Sequence, residues 1–109
     1  MKKQMLQPDP FQAIADPGRR EILFLLSKEK LSMNALAENF EISRPAVSKH
    51  VKILYEAGLI MITEVGRERY CELNQDGFKE ISEWMAYYEE FWKAKMVGFG
   101  KVLNKRARQ

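Results

Sequence analysis

The stretch Ser43-Arg44-Pro45-Ala46-Val47-Ser48-Lys49-His50-Val51-Lys52-Ile53-Leu54-Tyr55-Glu56-Ala57-Gly58-Leu59 decides the reading of this chain. Ser43 is a helix cap, Pro45 fits a first turn, and Gly58 is a stop. Between them Val47, Val51 and Leu54 recur at helical spacing and mark a buried face. The charged residues from Ser43 to Leu54 are Arg44, Lys49 and Lys52, with no acid among them. Just upstream, Ser32 can cap another helix, with Met33, Leu36, Ala37 and Phe40 as its apolar positions before a break at Glu41-Ile42. Glu41 to Ser43 then join the two helices. Two short amphipathic helices around a tight turn, spanning 32–57, form a helix-turn-helix whose second helix is free to enter a major groove. An ordinary helical hairpin gives the same pattern and stays open on this segment alone.

Beyond Gly58 the period changes. Leu59, Ile60, Met61, Ile62 and Thr63 read as one strand, and Tyr70, Cys71, Glu72 and Leu73 as another, with Val65-Gly66-Arg67-Glu68 as the turn. This hairpin, 59–74, is a candidate wing. Arg67 and Arg69 beside its tip can reach phosphates or the minor groove, whereas a plain solvated ribbon is the alternative. On the other side, Asp9-Pro10 and Asp16-Pro17 are successive helix starts, the second opening a helix with Ile22, Leu23, Leu25 and Leu26 on its apolar face.

Asp76 is read as the cap of a last helix over 77–105, about 40 Å long at the usual rise. Phe78, Ile81, Met85, Tyr88, Trp92, Phe99 and Val102 recur along it in steps of three and four, with Lys95 taking one turn of the stripe, and Trp84 and Phe91 widen it. So much aromatic surface on so small a chain points to a homodimer interface, with Phe11 and Ile14 of the first helix contributing. Burial of the same aromatics within one chain is the competing possibility. The expected fold is thus mainly α with a small β-hairpin: about five helices and a two-stranded wing in one winged helix-turn-helix domain, 1–109.

Composition narrows the function. With 109 residues and 46% hydrophobic content, one compact domain is expected. The net charge of +3 is mild, so the basic clusters matter more than the total. No run approaches the roughly 20 apolar residues of a membrane span, and Met1-Lys2-Lys3-Gln4 leads into no secretory apolar region, so a cytoplasmic protein is expected. A single cysteine, Cys71, excludes an internal disulfide and a Cys-x-x-Cys zinc site. There is no His-carboxylate pair, Ser-His arrangement or glycine-rich phosphate loop, so no enzymatic activity and no cofactor are expected.

Asp16-Pro17-Gly18-Arg19-Arg20-Glu21-Ile22-Leu23, then Leu36-Ala37, then the whole segment from Ser43 to Leu59, resemble the arsenic-repressor (ArsR) family of bacterial winged-helix regulators. The resemblance spans nearly the whole chain. It implies a homodimer that binds a partly palindromic double-stranded DNA operator and represses transcription until a signal releases it. The family's base-reading positions map onto Arg44, Pro45, Ser48 and Lys49, and the chemistry agrees: Arg44 can make a bidentate contact with guanine, while Ser48 and Lys49 can address bases or phosphate. Lys52 is placed for the phosphate backbone, and Ser32 and Asn34 for further backbone contacts.

The chain departs from the metal-sensing members of that family. Met33-Asn34-Ala35-Leu36-Ala37-Glu38-Asn39-Phe40 carries no thiol, and the last helix offers Glu80, Glu83, Glu89 and Glu90 without an imidazole. His50, the only histidine, reads as a packing or DNA-proximal residue. The expected type is therefore metal-independent, with its effector unknown. Two alternatives stay open on the sequence: a winged-helix module that binds protein instead of DNA, and a redox switch at Cys71 aided by the nearby Arg69.

Overall fold

A computed structural model describes residues 9–107, with side chains over 9–98. The chain divides into two compact units, one ending at Lys79 and the other beginning at Glu80.

Local cap chemistry explains where most helices begin. Asp9 accepts from the Phe11 amide at 3.1 Å and starts α1, Pro10–Ala13. Asp16 does the same for Arg19 at 3.0 Å and starts α2, Pro17–Leu26, with Pro17 in its first turn. Ser32 accepts from Ala35 at 3.1 Å ahead of α3, Met33–Ala37. Ser43 accepts from Ala46 at 3.3 Å ahead of α4, Arg44–Glu56. Each oxygen satisfies one amide that the helix leaves without a partner.

α4 ends in a Schellman turn. Gly58 donates to the Tyr55 carbonyl and Leu59 to the Leu54 carbonyl, both at 3.0 Å, with Gly58 at φ 82°. That left-handed position suits glycine, which has no Cβ to clash. The chain leaves this turn as β2, Ile60–Val65, and returns as β3, Glu68–Leu73. Val65 pairs with Glu68, so Gly66 and Arg67 form a two-residue turn. Gly66 has φ 64° and no non-glycine residue among those described has positive φ, the II′ pattern with glycine first.

The sheet has one strand more than the sequence suggested. β1, Leu31–Ser32, pairs antiparallel with β3 through Leu31↔Cys71 and Ser32↔Tyr70, giving the order β1-β3-β2. A two-residue strand is too short to show any period, so only the tertiary pairing defines it. α3 also stops at Ala37 and not at Phe40. There the Asn39 side-chain amide donates to the Ala35 carbonyl at 2.9 Å, taking the acceptor that its own backbone N–H would use in a continuing helix. The Asn39 and Phe40 amides turn instead to Leu36 and Ala37. Residues 38–43, not 41–43, therefore link the two helices.

The core of the first unit gathers Ala13, Ile22, Leu26, Leu36, Val47, Val51, Leu54, Leu59, Ile60 and Cys71, all buried. Val47, Val51 and Leu54 bring the inner face of α4 into it, leaving the opposite face to solvent.

Asp76 does not cap the last helix. It lies inside a 3-10 turn, Gln75–Phe78, followed by α5, Lys79–Ala107. The residue at the turn's cap position, Asn74, donates its side-chain amide to the Gly58 carbonyl at 2.9 Å, and its backbone amide to the Leu59 carbonyl at 2.9 Å. The turn is thereby tied to the Schellman turn, and the approach is close: a Cβ at Gly77 would lie 1.7 Å from the Gly58 carbonyl oxygen. No helix among the described residues is long and apolar enough to cross a membrane.

Gly77→Ala must push backbone apart and should cost about 1–3 kcal/mol, the usual scale of overpacking. Urea unfolding measures it. An unchanged midpoint would mean that the contact with Gly58 relaxes freely.

Candidate nucleic-acid interface

The outer face of α4 carries Arg44, Pro45, Lys49 and Lys52 in solvent and Ser48 half-buried. The spacing 44, 48, 52 and 45, 49, 52 places them on one side of a helix. That side looks onto the hairpin across a concave surface with two parts. The wider is a groove of about 830 Å³ with an apolar floor of Met33, Val51, Tyr55 and Ile62. Its cationic lining comes from Lys49 and Lys52 of α4 and Arg69 of β3. The narrower part, about 270 Å³, is where Ser32, Asn34, Arg44, Ser48, Arg67 and Arg69 converge. Each of the nine residues singled out for DNA contact lines one part or the other, and Ser48 and Arg69 line both.

None of these cations forms an ion pair with a carboxylate among the described residues, where the salt bridges are His50–Asp16 and Lys93–Glu89. The guanidinium of Arg44 donates instead to Oδ1 of Asn34. Ser32 Oγ accepts the Ala35 amide, and its hydroxyl proton can still be donated to an outside partner. Sequence reading missed the acids on this surface. Glu56 and Glu64 line the wide groove, and Glu68 the narrow one. The period-2 rule puts Glu64 on the same strand face as Ile62, a signal available in the sequence. Glu68 Oε2 accepts from the Tyr70 hydroxyl at 2.8 Å, an interaction that raises the Tyr70 pKa.

His50 turns away from this surface. Its Nδ1 lies 3.4 Å from Nη1 of Arg19 and its Nε2 lies 3.9 Å from Oδ2 of Asp16. Arg19 also donates from Nε to the Ala13 carbonyl at 2.7 Å, so one arginine joins the end of α1, the start of α2 and the middle of α4. The Arg19 amide holds the Asp16 carboxyl below its ordinary value; burial works against it, and His50 and the Arg19 charge add to the lowering.

Cys71 is fully buried, with Sγ 3.4 Å from Sδ of Met33. Burial pushes its thiol pKa up, more than Arg69 pulls it down. A sensor thiol needs the opposite on both counts. Among the described residues no cluster of His, Cys, Asp and Glu could hold a metal ion.

A second surface belongs to α5 by itself. Met85, Tyr88 and Trp92 are exposed, as are Tyr87, Met96 and Val97, which the sequence reading did not single out. Neighbouring rings touch along the helix, Trp84 with Tyr88 at 5.0 Å and Phe91 with Trp92 at 5.5 Å. Of the other residues proposed for a dimer contact, Phe11, Ile14 and Phe78 are half-buried and Ile81 is buried at 7% exposure, while the side chain of Phe99 lies outside the described residues.

A profile of the bacterial regulatory proteins of the arsR family matches residues 16–61. The transcriptional repressor SdpR of Bacillus subtilis is 39% identical over 75 residues, which cover 69% of this chain and 83% of that protein. The chain belongs to the arsR family. A crystal structure of an ArsR family transcriptional regulator superimposes with a TM-score of 0.69 at 35% identity, covering 76% of this chain and 91% of that one. The same fold occurs in a homodimeric winged helix-turn-helix DNA-binding domain from Mycobacterium bovis, with a TM-score of 0.60 at 21% identity and coverage of 73% and 75%. The chain is thus a winged helix-turn-helix transcriptional regulator, and its family consists of DNA-binding proteins and not enzymes.

Asp16 binds its proton less tightly folded than unfolded. Its stabilising effect should therefore be complete above the ordinary carboxyl value of 3.8 and fade as pH falls through the lower folded value. Asp16→Ala should cost about 1 kcal/mol at pH 7, as loss of a cap does, and progressively less in acid. Urea titrations from pH 7 down to pH 2 test this; a cost independent of pH would contradict it.

Proposed function

We propose that this arsR-family protein is a homodimeric repressor that binds a pseudo-palindromic operator in the cytoplasm and does not sense metal. The observation that carries the DNA reading is the concave surface between α4 and the hairpin, where Arg44, Arg67 and Arg69 converge and none of the three forms an ion pair among the described residues. α4 presents donors to base edges from its first turns, through Arg44, Ser48 and Lys49. The wide groove beside it takes the sugar-phosphate strand, with Lys52 and Arg69 as phosphate partners. Glu56 and Glu64 repel phosphate and so limit where that strand can run. The lining holds five cations against three carboxylates, an excess of positive charge that favours a polyanion over a protein partner.

The dimer reading rests on α5. Trp92 is 60% exposed, Met85 60% and Met96 67%, a quantity of apolar surface that a lone chain would leave in water. The M. bovis domain of the same fold is described as homodimeric. Repression follows the SdpR relationship. Metal insensitivity is supported by the missing thiols in α3 and imidazoles in α5.

Sedimentation at micromolar concentration should give a dimer mass, and Trp92→Glu should shift it toward the monomer. A monomeric parent protein, or a variant with an unaltered dimer mass, would count against the α5 interface.

Zinc, cobalt or copper titrated onto the protein–DNA complex should leave it intact. Stoichiometric release by any of them would reveal a site assembled between two chains.

Arg44→Ala should cost roughly 1–3 kcal/mol on the operator and relax its base preference, whereas Lys52→Ala should weaken operator and random DNA alike and lower the salt slope by about one unit. Affinities for both duplexes over a range of salt supply every quantity. Equal losses on the two DNAs for Arg44→Ala would reduce this residue to a phosphate contact and move base reading to Ser48 and Lys49.

A further inference from the structure

We infer that Asn34 is a positioning residue for sequence discrimination: through Oδ1 it holds the Arg44 guanidinium in the orientation that reads a base. The inference rests on the proposed base-reading role of α4 and deepens it.

Asn34 lies in the first turn of α3 and Arg44 in the first turn of α4, where the two helix starts meet beside Arg67 of the hairpin. Both residues are exposed, so no surrounding core fixes either side chain. Arg44 has no carboxylate partner among the described residues and its hydrogen bond is to Asn34. A guanidinium can only donate, so the acceptor must be the amide oxygen of Asn34.

A long arginine side chain with free torsions loses considerable rotamer entropy when it docks on one base edge. Holding it beforehand removes part of that cost for the matching base only, because a phosphate can be met from many orientations. Asn34 thus contributes to specificity by acting through Arg44.

The test uses the full chain and two DNA probes: a duplex selected from a random library by the parent protein, and a scrambled duplex of the same composition. Asn34→Ala should lower affinity for the selected duplex about tenfold, the scale of one charge-assisted hydrogen bond, and for the scrambled duplex less than about twofold. In an Arg44→Ala background, Asn34→Ala should change neither affinity further. Asn34→Asp keeps an acceptor for Arg44 and adds a negative charge. It should weaken both complexes through repulsion from phosphate while keeping the ratio of the two affinities near the parent value.

Equal losses on both duplexes for Asn34→Ala, or a loss that persists in the Arg44→Ala background, would make Asn34 an independent backbone contact and overturn the inference. A collapsed ratio in Asn34→Asp would overturn it too. If Arg44→Ala itself leaves the ratio unchanged, the base-reading role of Arg44 fails and this inference fails with it, a result distinct from the other three. Because Asn34 is exposed, thermal unfolding midpoints of its variants should match the parent, and Asn34→Asp provides a second reading of the ratio.

Discussion

The structure depends on α4 being buried on one side only. Val47, Val51 and Leu54 sink into the core beside Ile22, Leu26, Leu36, Leu59 and Ile60. Each such burial stabilises by about 1.5–3 kcal/mol, which fixes the rotation of the helix about its axis. Once that rotation is set, the residues at 44, 45, 48, 49 and 52 have nowhere to face but outward. The Schellman turn at Gly58 then fixes where the chain leaves α4, and so where the hairpin stands beside the exposed face. Asn74 ties the following turn to the Gly58 carbonyl by a hydrogen bond, and Gly77 leaves room for that close approach.

Electrostatics do the remaining arrangement. On the outer face of α4 the cations form no ion pairs among the described residues, whereas His50 on the flank meets Asp16 and Arg19. The same helix therefore carries two kinds of polar contact: one set satisfied within the chain, joining α4 to the ends of α1 and α2, and one set left for an outside partner. Glu56 and Glu64 line the same groove as Lys49, Lys52 and Arg69, so it is not a uniformly positive face.

Much of this was legible in the sequence, because cap chemistry is local. Ser32, Ser43, Asp9 and Asp16 announce helix starts within three residues, and Gly58 announces the end of α4. The basic face of α4 follows from period alone. What escaped needed long-range partners. β1 exists only because β3 lies beside it, and α3 stops early because the Asn39 side chain competes for one carbonyl. Asp76 was the wrong starting point for the last helix because the turn is anchored through Asn74 to Gly58, sixteen residues away. His50 could not be assigned a partner from sequence, since Arg19 is thirty-one residues distant. Glu64 was legible from the alternation of β2, which puts it on the face of Ile62.

Recognition of a specific DNA sequence by a symmetric pair of α4–hairpin surfaces can be measured by selecting bound fragments from the source genome, followed by sequencing and footprinting. The expected result is an enriched pseudo-palindromic motif with half-sites about one helical turn apart, or a multiple of that spacing. No motif above a competitor background, or a single asymmetric motif occupied by one chain, would contradict it.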